Sequence, residues 1–359
     1  MSRSPSRPRR GSGGTRCGAG ARVPELPEVE TVVRDLRALL TGARITGAQV
    51  LRERNLETPD RATFAHAITG RTITGARRRA KWILIDLDGG LVMLVHLRMT
   101  GQLLIVNRSI EPDPYVRVAL ELADGRRMYF RDVRAFGRVA LVAQREDGEV
   151  AQSLDPHDAP LFADYGYEPL EASFTPEVLH ALLRAHRTRL KVFLLDQRYI
   201  AGIGNIYADE ALWRARLHPL SNTSRMNEAQ TLLLHAALVG VLAEAVAARG
   251  SSIDDYTAPD GDGEMQERLA VYQRTGEPCL RCGATVRRAV IAGRGTHYCA
   301  RCQRAPRGVS VPTRQSTAAR GPRWADRLHP DAAGATRAER AAARRRAARG
   351  GGSGSGARA

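Results

Sequence analysis

Pro24-Glu25-Leu26-Pro27-Glu28-Val29-Glu30 is where order begins in this chain, and the fold is read outward from it. A proline at a first-turn position opens a helix, because its missing N–H would go unsatisfied there anyway. Val29, Val32, Val33, Leu36, Leu39 and Leu40 follow at helical spacing, and Gly42 closes the run. Pro24 and Glu25 therefore stand just ahead of a helix N-terminus. From about residue 44 to 145 the pattern turns to strands. Trp82–Leu87 and Leu91–Leu97 flank Asp88-Gly89-Gly90, while Val116–Leu122 and Arg127–Arg131 flank Asp124-Gly125. Both are hairpin signals. This half predicts a β-sandwich capped by the opening helix.

Further along, residues 146–172 are rich in Asp, Pro and Gly and read as a linker. Helical patterns follow at Pro176–His186, Ile206–Arg216 and Asn227–Ala248, with a turn expected around Lys191. A cysteine module occupies residues 272–305. Residues 1–22 and 307–359 have almost nothing to bury and read as a disordered leader and a disordered basic tail. The expected class is α+β. The expected division is a sandwich domain over 24–150, a helical domain over 151–270 and a cysteine hairpin over 271–306.

The net charge of +17 invites a nucleic-acid partner, but its distribution matters. The leader carries +6 and residues 309–359 carry +8, which leaves +3 for the body. A DNA site in the body must then be a local patch. Apolar runs such as Leu91–Leu97 are too short to cross a bilayer, and no secretory signal opens the chain. No membrane association is expected. An Arg-rich, acid-free leader could imitate an organelle transit peptide; the default location is the cytoplasm.

Lysine is scarce: 53 of the 55 basic residues are Arg, and only Lys81 and Lys191 are Lys. Arg stays protonated, whereas a Lys ammonium can shift its pKa and exchange protons. These two are candidates for proton transfer or phosphate contact, with chance survival as the alternative. Cys279-x2-Cys282 and Cys299-x2-Cys302 supply four thiolates in two close pairs, which suits one tetrahedral zinc ion. A closed four-Cys site is structural. It would stabilise a module too small to fold on apolar burial. Between the pairs, Val286–Ile291 and Thr296–Cys299 predict a hairpin whose turn, Ala292-Gly293-Arg294-Gly295, presents one cation.

Together these segments resemble the formamidopyrimidine-DNA glycosylase / endonuclease VIII family. The resemblance runs from about Val23 to Arg304. It rests on the opening Pro24–Glu30 segment, Arg78-Arg79-Ala80-Lys81, His96-Leu97-Arg98-Met99-Thr100-Gly101, and Arg131-Asp132-Val133-Arg134-Ala135-Phe136-Gly137. Ala201-Gly202-Ile203-Gly204-Asn205-Ile206-Tyr207-Ala208-Asp209-Glu210 and the cysteine module complete it. Leu26 and Val29 are similar to the formamidopyrimidine branch.

The resemblance implies a bifunctional DNA glycosylase and AP lyase of base-excision repair. It would remove oxidised purines from double-stranded DNA as a monomer, with one structural zinc and no catalytic metal or organic cofactor. Pro24 would attack the sugar C1′ through a free secondary amine and form a Schiff base. Glu25 would act as general acid. Lys81 matches the lysine assigned to phosphate contact and β-elimination, and Arg294 the arginine assigned to phosphate and δ-elimination. The lesion must be flipped out of the duplex. Met99, Arg134 and Phe136 match the trio that fills the gap, although residue type alone puts Met99 and Phe136 in the core. Gly202–Asn205 opens a helix whose free N–H groups suit phosphate. Asn205 is expected on DNA or as an N-cap, and Lys191 on the DNA backbone.

Three departures stand out. Where the family often has His-x-His on a DNA-facing strand, this chain reads Tyr115-Val116-Arg117, with Arg117 expected on phosphate. Where the base-covering loop usually has Gly-x-Phe, it reads Gly263-Glu264-Met265, preceded by Gly250-Ser251-Ser252. And Pro24 follows a leader. A peptide bond on its nitrogen abolishes nucleophilicity, so the reading expects cleavage after Val23 or a start at Val23, where the family has its initiator Met. Three rivals remain at this point. One is an oxidised-pyrimidine glycosylase of the same family. Another is a non-catalytic zinc-finger protein that binds damaged DNA with Pro24 blocked. The third is a basic RNA-binding protein.

Overall fold

The computed structural model describes residues 23–251 and 263–309. The leader, Ser252 and nearly all of the basic tail lie outside the described residues. The opening helix α1 runs Leu26–Leu40 with Pro27 in its first turn. Two four-stranded antiparallel sheets follow. One orders β1 (Ile45–Val50), β6 (Val116–Leu122), β7 (Arg126–Asp132) and β5 (Gly101–Asn107). The other orders β2 (Ile73–Arg79), β3 (Trp82–Leu87), β4 (Leu91–His96) and β8 (Arg138–Ala143). The hairpin at Asp88–Gly90 pairs Leu87 with Leu91, and Gly89 and Gly90 take φ of 70° and 71°, a conformation cheap only for glycine.

The sandwich core lies between the sheets. Ile83, Ile85, Met93 and Val95 meet Val118, Leu120, Met128 and Phe130 there, and Val29, Val33 and Leu36 of α1 close its end. The opposite face of β3, β4 and β8 is also covered. Trp82, Leu84, Val92 and Leu94 pack against Val150 and Phe162. That double burial explains why these strands read as continuous apolar runs rather than alternating ones. The segment read as a linker therefore contributes to the core. An eight-residue helix, α2 (Arg61–Ile68), interrupts the strand half and was not expected. Asp60 caps it, accepting from the N–H groups of Ala62 and Thr63.

The second body contains α3 (Pro176–Ala185), α4 (Leu190–Leu195), α5 (Asn205–Arg214), α6 (Glu228–Ala247) and the short α7 (Met265–Arg268). Lys191, expected in a turn, lies in α4. Among the described residues, α6 is the one helix long and apolar enough to cross a membrane, so the sequence expectation that apolar runs are too short fails there. Leu234, Leu238, Val241 and Leu242 bury it against α5 and α3, as a core helix requires. The hairpin of β9 (Val286–Ile291) and β10 (Arg294–Cys299) completes the α+β fold.

Candidate active site

Pro24 is buried directly ahead of α1. The next residue, Glu25, is only 2 % exposed. Its backbone N–H donates to Glu28 Oε2 at 2.9 Å, and the N–H of Leu26 donates to the Gly202 carbonyl at 3.0 Å. The Glu25 carboxylate crosses to the start of α5. It accepts from the N–H groups of Gly204 (2.9 Å), Ile206 (2.8 Å) and Tyr207 (3.3 Å). The helix terminus read from sequence as a phosphate seat is thus occupied by the protein's own anion, which that terminus favours. This contact dictates the glycines. A Cβ on Gly204 would lie 2.3 Å from the Glu25 carboxyl carbon, and one on Gly202, at φ +83°, would lie 2.8 Å from Leu26.

Burial pushes the Glu25 carboxyl up to about 7, against the pull of Lys81 and the backbone donors. A carboxyl poised there can give or take a proton near neutrality. Glu28 holds the assembly from behind. Its Oε1 accepts from the Tyr207 hydroxyl at 2.5 Å and from the N–H and Oγ of Ser251, both at 2.9 Å.

Lys81 follows a tight turn in which Ala80 takes φ +53°. Glu168, 4 % exposed, clamps that turn. It accepts the Ala80 N–H at 2.6 Å and ion-pairs with Arg78 at 2.7 Å and Arg79 at 3.1 Å. Burial lowers the Lys81 pKa, Glu25 opposes the fall and Arg294 adds to it. Glu25, Lys81 and Arg294 therefore share one electrostatic neighbourhood, although they come from three separate parts of the chain.

Arg294 is exposed beside the turn of the zinc hairpin. Ala292 and Gly293 form that turn alone, with φ of 49° and 73°, and Arg294 already pairs with Ile291. The strand is held by its neighbours in α4 and α5. The Gly295 carbonyl accepts from Asn205 Nδ2 at 2.9 Å and lies 3.4 Å from Lys191 Nζ. Asp209 Oδ2 accepts the His297 N–H at 2.8 Å, and Asp209 Oδ1 pairs with Lys191 Nζ at 2.5 Å.

Two sequence expectations are corrected here. Both side chains of the Lys191–Asp209 pair are fully buried, so Lys191 does not grip a DNA backbone; it is a strut under the hairpin. Asn205 is not an N-cap, since Gly204 takes that position. Its amide donor goes to the hairpin, while its buried Oδ1 has no partner.

The four cysteine sulfurs lie within 4.8 Å of one another, with Cys279–Cys302 at 4.0 Å and Cys282–Cys299 at 3.5 Å. Zinc–sulfur bonds of about 2.3 Å in a tetrahedron need sulfurs roughly 3.8 Å apart. The cluster fits the ion. Its cradle is tied to α5: Trp213 Nε1 donates to Cys279 Sγ at 3.4 Å, and the Arg281 guanidinium lies over the Trp213 ring and donates to its carbonyl at 2.9 Å. Glu210 accepts from the N–H groups of Ala270, Val271 and Tyr272 at 2.8–2.9 Å. One helix, α5, thus seats Glu25 at its start and the zinc module along its length.

A second cluster sits on the sandwich. Phe136 is 41 % exposed, and the Arg134 guanidinium stands 4.9 Å from its ring centroid. Met99 is half-buried on the neighbouring turn. Buried Asp132 pins both, accepting from Thr100 Oγ1 at 2.5 Å and from the Gly137 N–H at 2.6 Å. Asn55 holds the Gly137 carbonyl at 2.7 Å. Arg117 belongs to this scaffold. It is 5 % exposed and donates to the carbonyls of Asp132 (2.6 and 2.8 Å) and Pro114 (3.1 Å), which corrects its expected place on phosphate. Met265, read as part of the base-covering loop, is buried in the core of the helical body. The carboxylates Glu28, Asp132, Glu168 and Asp209 escaped the sequence reading; the signal available was an acid inside an apolar or glycine-bounded motif.

Comparison with known proteins gives consistent matches along the chain. Residues 23–139 match the model of the formamidopyrimidine-DNA glycosylase N-terminal domain and 165–257 that of its H2TH (helix–two-turns–helix) domain. Residues 276–305 match the zinc finger found in FPG and IleRS. The formamidopyrimidine-DNA glycosylase of Chloroflexus aurantiacus is 46 % identical over 282 residues, covering 78 % of this chain and 98 % of the relative. That of Roseiflexus sp. is 44 % identical, covering 79 % and 100 %. Among solved structures, the MutM (FPG) protein of Thermus thermophilus is 42 % identical with a TM-score of 0.67, covering 78 % of this chain and 98 % of that one. Lactococcus lactis Fpg in complex with abasic-site DNA is 35 % identical with a TM-score of 0.70, covering 78 % and 100 %.

Proposed function

The chain belongs to the formamidopyrimidine-DNA glycosylase family, and on that premise we propose that it is a bifunctional glycosylase and AP lyase acting on oxidised purines in duplex DNA. The observation that carries this reading is Glu25. It is a buried carboxyl poised near neutrality at the start of α5, one residue after Pro24 and in the field of Lys81 and Arg294.

The steps follow from these groups. A free Pro24 amine has an ordinary pKa of about 8, so part of it is neutral at pH 7. Its lone pair attacks C1′ as the bond from C1′ to the damaged base breaks, the base leaving with that electron pair and taking up the proton released by the Pro24 nitrogen. Glu25 gives its proton to the ring oxygen as the C1′–O4′ bond opens, leaving an iminium on Pro24. The iminium acidifies the C2′ proton, whose loss expels the 3′ phosphate. Lys81 and Arg294 stabilise the phosphates that leave in turn. Zinc takes no part in these steps; bound by Cys279, Cys282, Cys299 and Cys302, it holds the hairpin that presents Arg294. Pro24 can act only without Val23 on its nitrogen.

Relatives in complex with DNA support the substrate class. Lactococcus lactis Fpg has been solved with Fapy-dG DNA and with abasic-site DNA. We place this chain on chromosomal DNA in the bacterial cytoplasm, acting as a monomer, because every proposed group comes from one chain. The loop bearing Met99, Arg134 and Phe136 would fill the gap left by the flipped base. The test is single-turnover cleavage of duplexes carrying oxidised guanine or oxidised pyrimidine. The account expects faster release of the purine lesion, with both phosphates eliminated. Faster pyrimidine release would reassign the lesion class, and base release without strand cleavage would remove the lyase.

A further inference from the structure

The outer side of α6 is apolar and uncovered. Leu232 and Leu233 are each 57 % exposed, more than any other large apolar side chain among the described residues of the helical body. Ala229 and Ala236 beside them are exposed as well. From Ala229 to Ala243 the helix carries no Asp, Glu, Lys or Arg. Packing against α5 and α3 accounts only for the inner side, where Leu234, Leu238, Val241 and Leu242 are buried. A surface helix normally sets charged and polar residues opposite such a buried stripe. Here two adjacent leucines stand there instead, and any cover that takes them out of water is stabilised by doing so.

The tail of the same chain is placed to supply that cover. The described residues end at Val309, which lines one recess together with Met226 and Gln230. Gln230 lies in the first turn of α6, and Leu233 stands one turn further along the same side. Residues 310–359 are almost all small, polar or basic, and their large apolar side chains are Val311, Trp324 and Leu328. Trp324 and Leu328 are four apart, a spacing that brings both to one side of a helical turn, and Pro322 and Pro330 bracket them. Trp324 is fifteen residues past Val309, a tether with a root-mean-square span of roughly 20 Å. That span takes in the first turns of α6, a 20-residue helix about 30 Å long. A second copy of the chain fits less well. One side of such a helix offers about 300 Å², against about 800 Å² per partner in a stable complex. A tethered segment needs far less area, because a short linker holds it at an effective concentration of about millimolar. We propose that Trp324 and Leu328 dock on Leu232 and Leu233, so that the tail folds back along α6. The arginine-rich stretch Arg337–Arg349 then starts beside α6 rather than at Val309. This docking goes beyond the proposed chemistry and uses none of its residues.

The test is acrylamide quenching of Trp324 fluorescence in the full chain, isolated by subtracting the Trp324→Phe chain in each background. Trp82 and Trp213 are common to both and cancel. Trp324 should be quenched at least about threefold less steeply in the parent than in Leu232→Gln/Leu233→Gln, as expected of a segment docked most of the time. Leu328→Ala, which alters only the tail, should release Trp324 as well, and Leu232→Met/Leu233→Met should keep it shielded. Equal quenching in the parent and both release variants overturns the proposal, and so does loss of shielding in the methionine variant. Shielding should persist in about 1 M NaCl, where charge contacts are screened beyond about 3 Å. Its loss there assigns the contact to the tail's arginines and overturns the apolar dock. Shielding should also be independent of protein concentration between about 1 and 50 μM, because the dock is intramolecular. Shielding that grows with concentration, together with a doubled mass in sedimentation, overturns the proposal in favour of a second copy.

Discussion

Replacing Lys191 by Met separates a structural strut from a DNA contact. In the native protein Lys191 Nζ lies 2.5 Å from Asp209 Oδ1, with both side chains fully buried. Methionine matches the length of the side chain and removes only the charge. It leaves the Asp209 carboxylate inside the protein with the His297 N–H as its remaining backbone donor. Removing one member of a buried pair costs about 3–5 kcal/mol. The double variant Lys191→Met/Asp209→Asn removes both charges and keeps an amide oxygen to accept from the His297 N–H, so what is lost is the hydrogen bond to Lys191, a cost of roughly 1–3 kcal/mol. The double variant should therefore be more stable than Lys191→Met alone. Urea unfolding of the zinc-loaded protein gives these free energies. Salt-dependent DNA binding gives the opposing test, since a surface lysine on phosphate would reduce the slope by about 0.9 and leave stability intact. Stability unchanged within about 0.5 kcal/mol, as expected of a surface site, together with that loss of slope, would refute the strut.

Further outcomes follow from the same geometry. In the chain that keeps Val23, the folded Glu25 pKa of about 7 lies above its ordinary value of 4.5, so protonation favours the fold. That stability is full below pH 4.5 and lost as pH rises through 7. Relative to Glu25→Gln, the parent should lose roughly 3 kcal/mol between those limits, and parallel stability curves would exclude the shift. Gly204→Ala places a Cβ 2.3 Å from the Glu25 carboxyl carbon. Base release should fall by about 10²-fold or more, while circular dichroism should report an intact fold. Chelating zinc should melt the hairpin and release Arg294 while the sandwich persists, and hydrogen exchange confined to residues after 270 would show it. Arg117→Met should destabilise the Asp132–Gly137 loop without changing the salt slope; a change in slope would return Arg117 to the phosphate.

Local signals in the sequence carried much of the fold. Pro27 and the spacing of Val29, Val33 and Leu36 marked α1; Asp88-Gly89-Gly90 marked a hairpin, and the paired cysteines marked the zinc module. Those features depend on neighbours a few residues away. What escaped depends on partners far along the chain. A lysine or arginine reads the same on a surface as beside a buried carboxylate, so Lys191 and Arg117 looked like phosphate contacts until Asp209 and the Asp132 carbonyl appeared beside them. The N–H groups at the start of α5 looked free because Glu25, their acceptor, belongs to the other end of the fold. The helix α2 escaped because it buries only Phe64 and Ile68, too few to set a period. The membrane-like composition of α6 follows from packing against α5 and α3, distant partners that no short apolar run announces.

The central claim is that the Pro24 nitrogen attacks the sugar from beside Glu25. Borohydride trapping tests it on two versions of the chain, one beginning at Pro24 and one retaining Val23, each with an abasic-site duplex and an oxidised-guanine duplex. The account predicts an irreversible protein–DNA adduct only for the version beginning at Pro24, with the added mass on its N-terminal peptide. Equal adduct from both versions, or an adduct on Lys81, would contradict it.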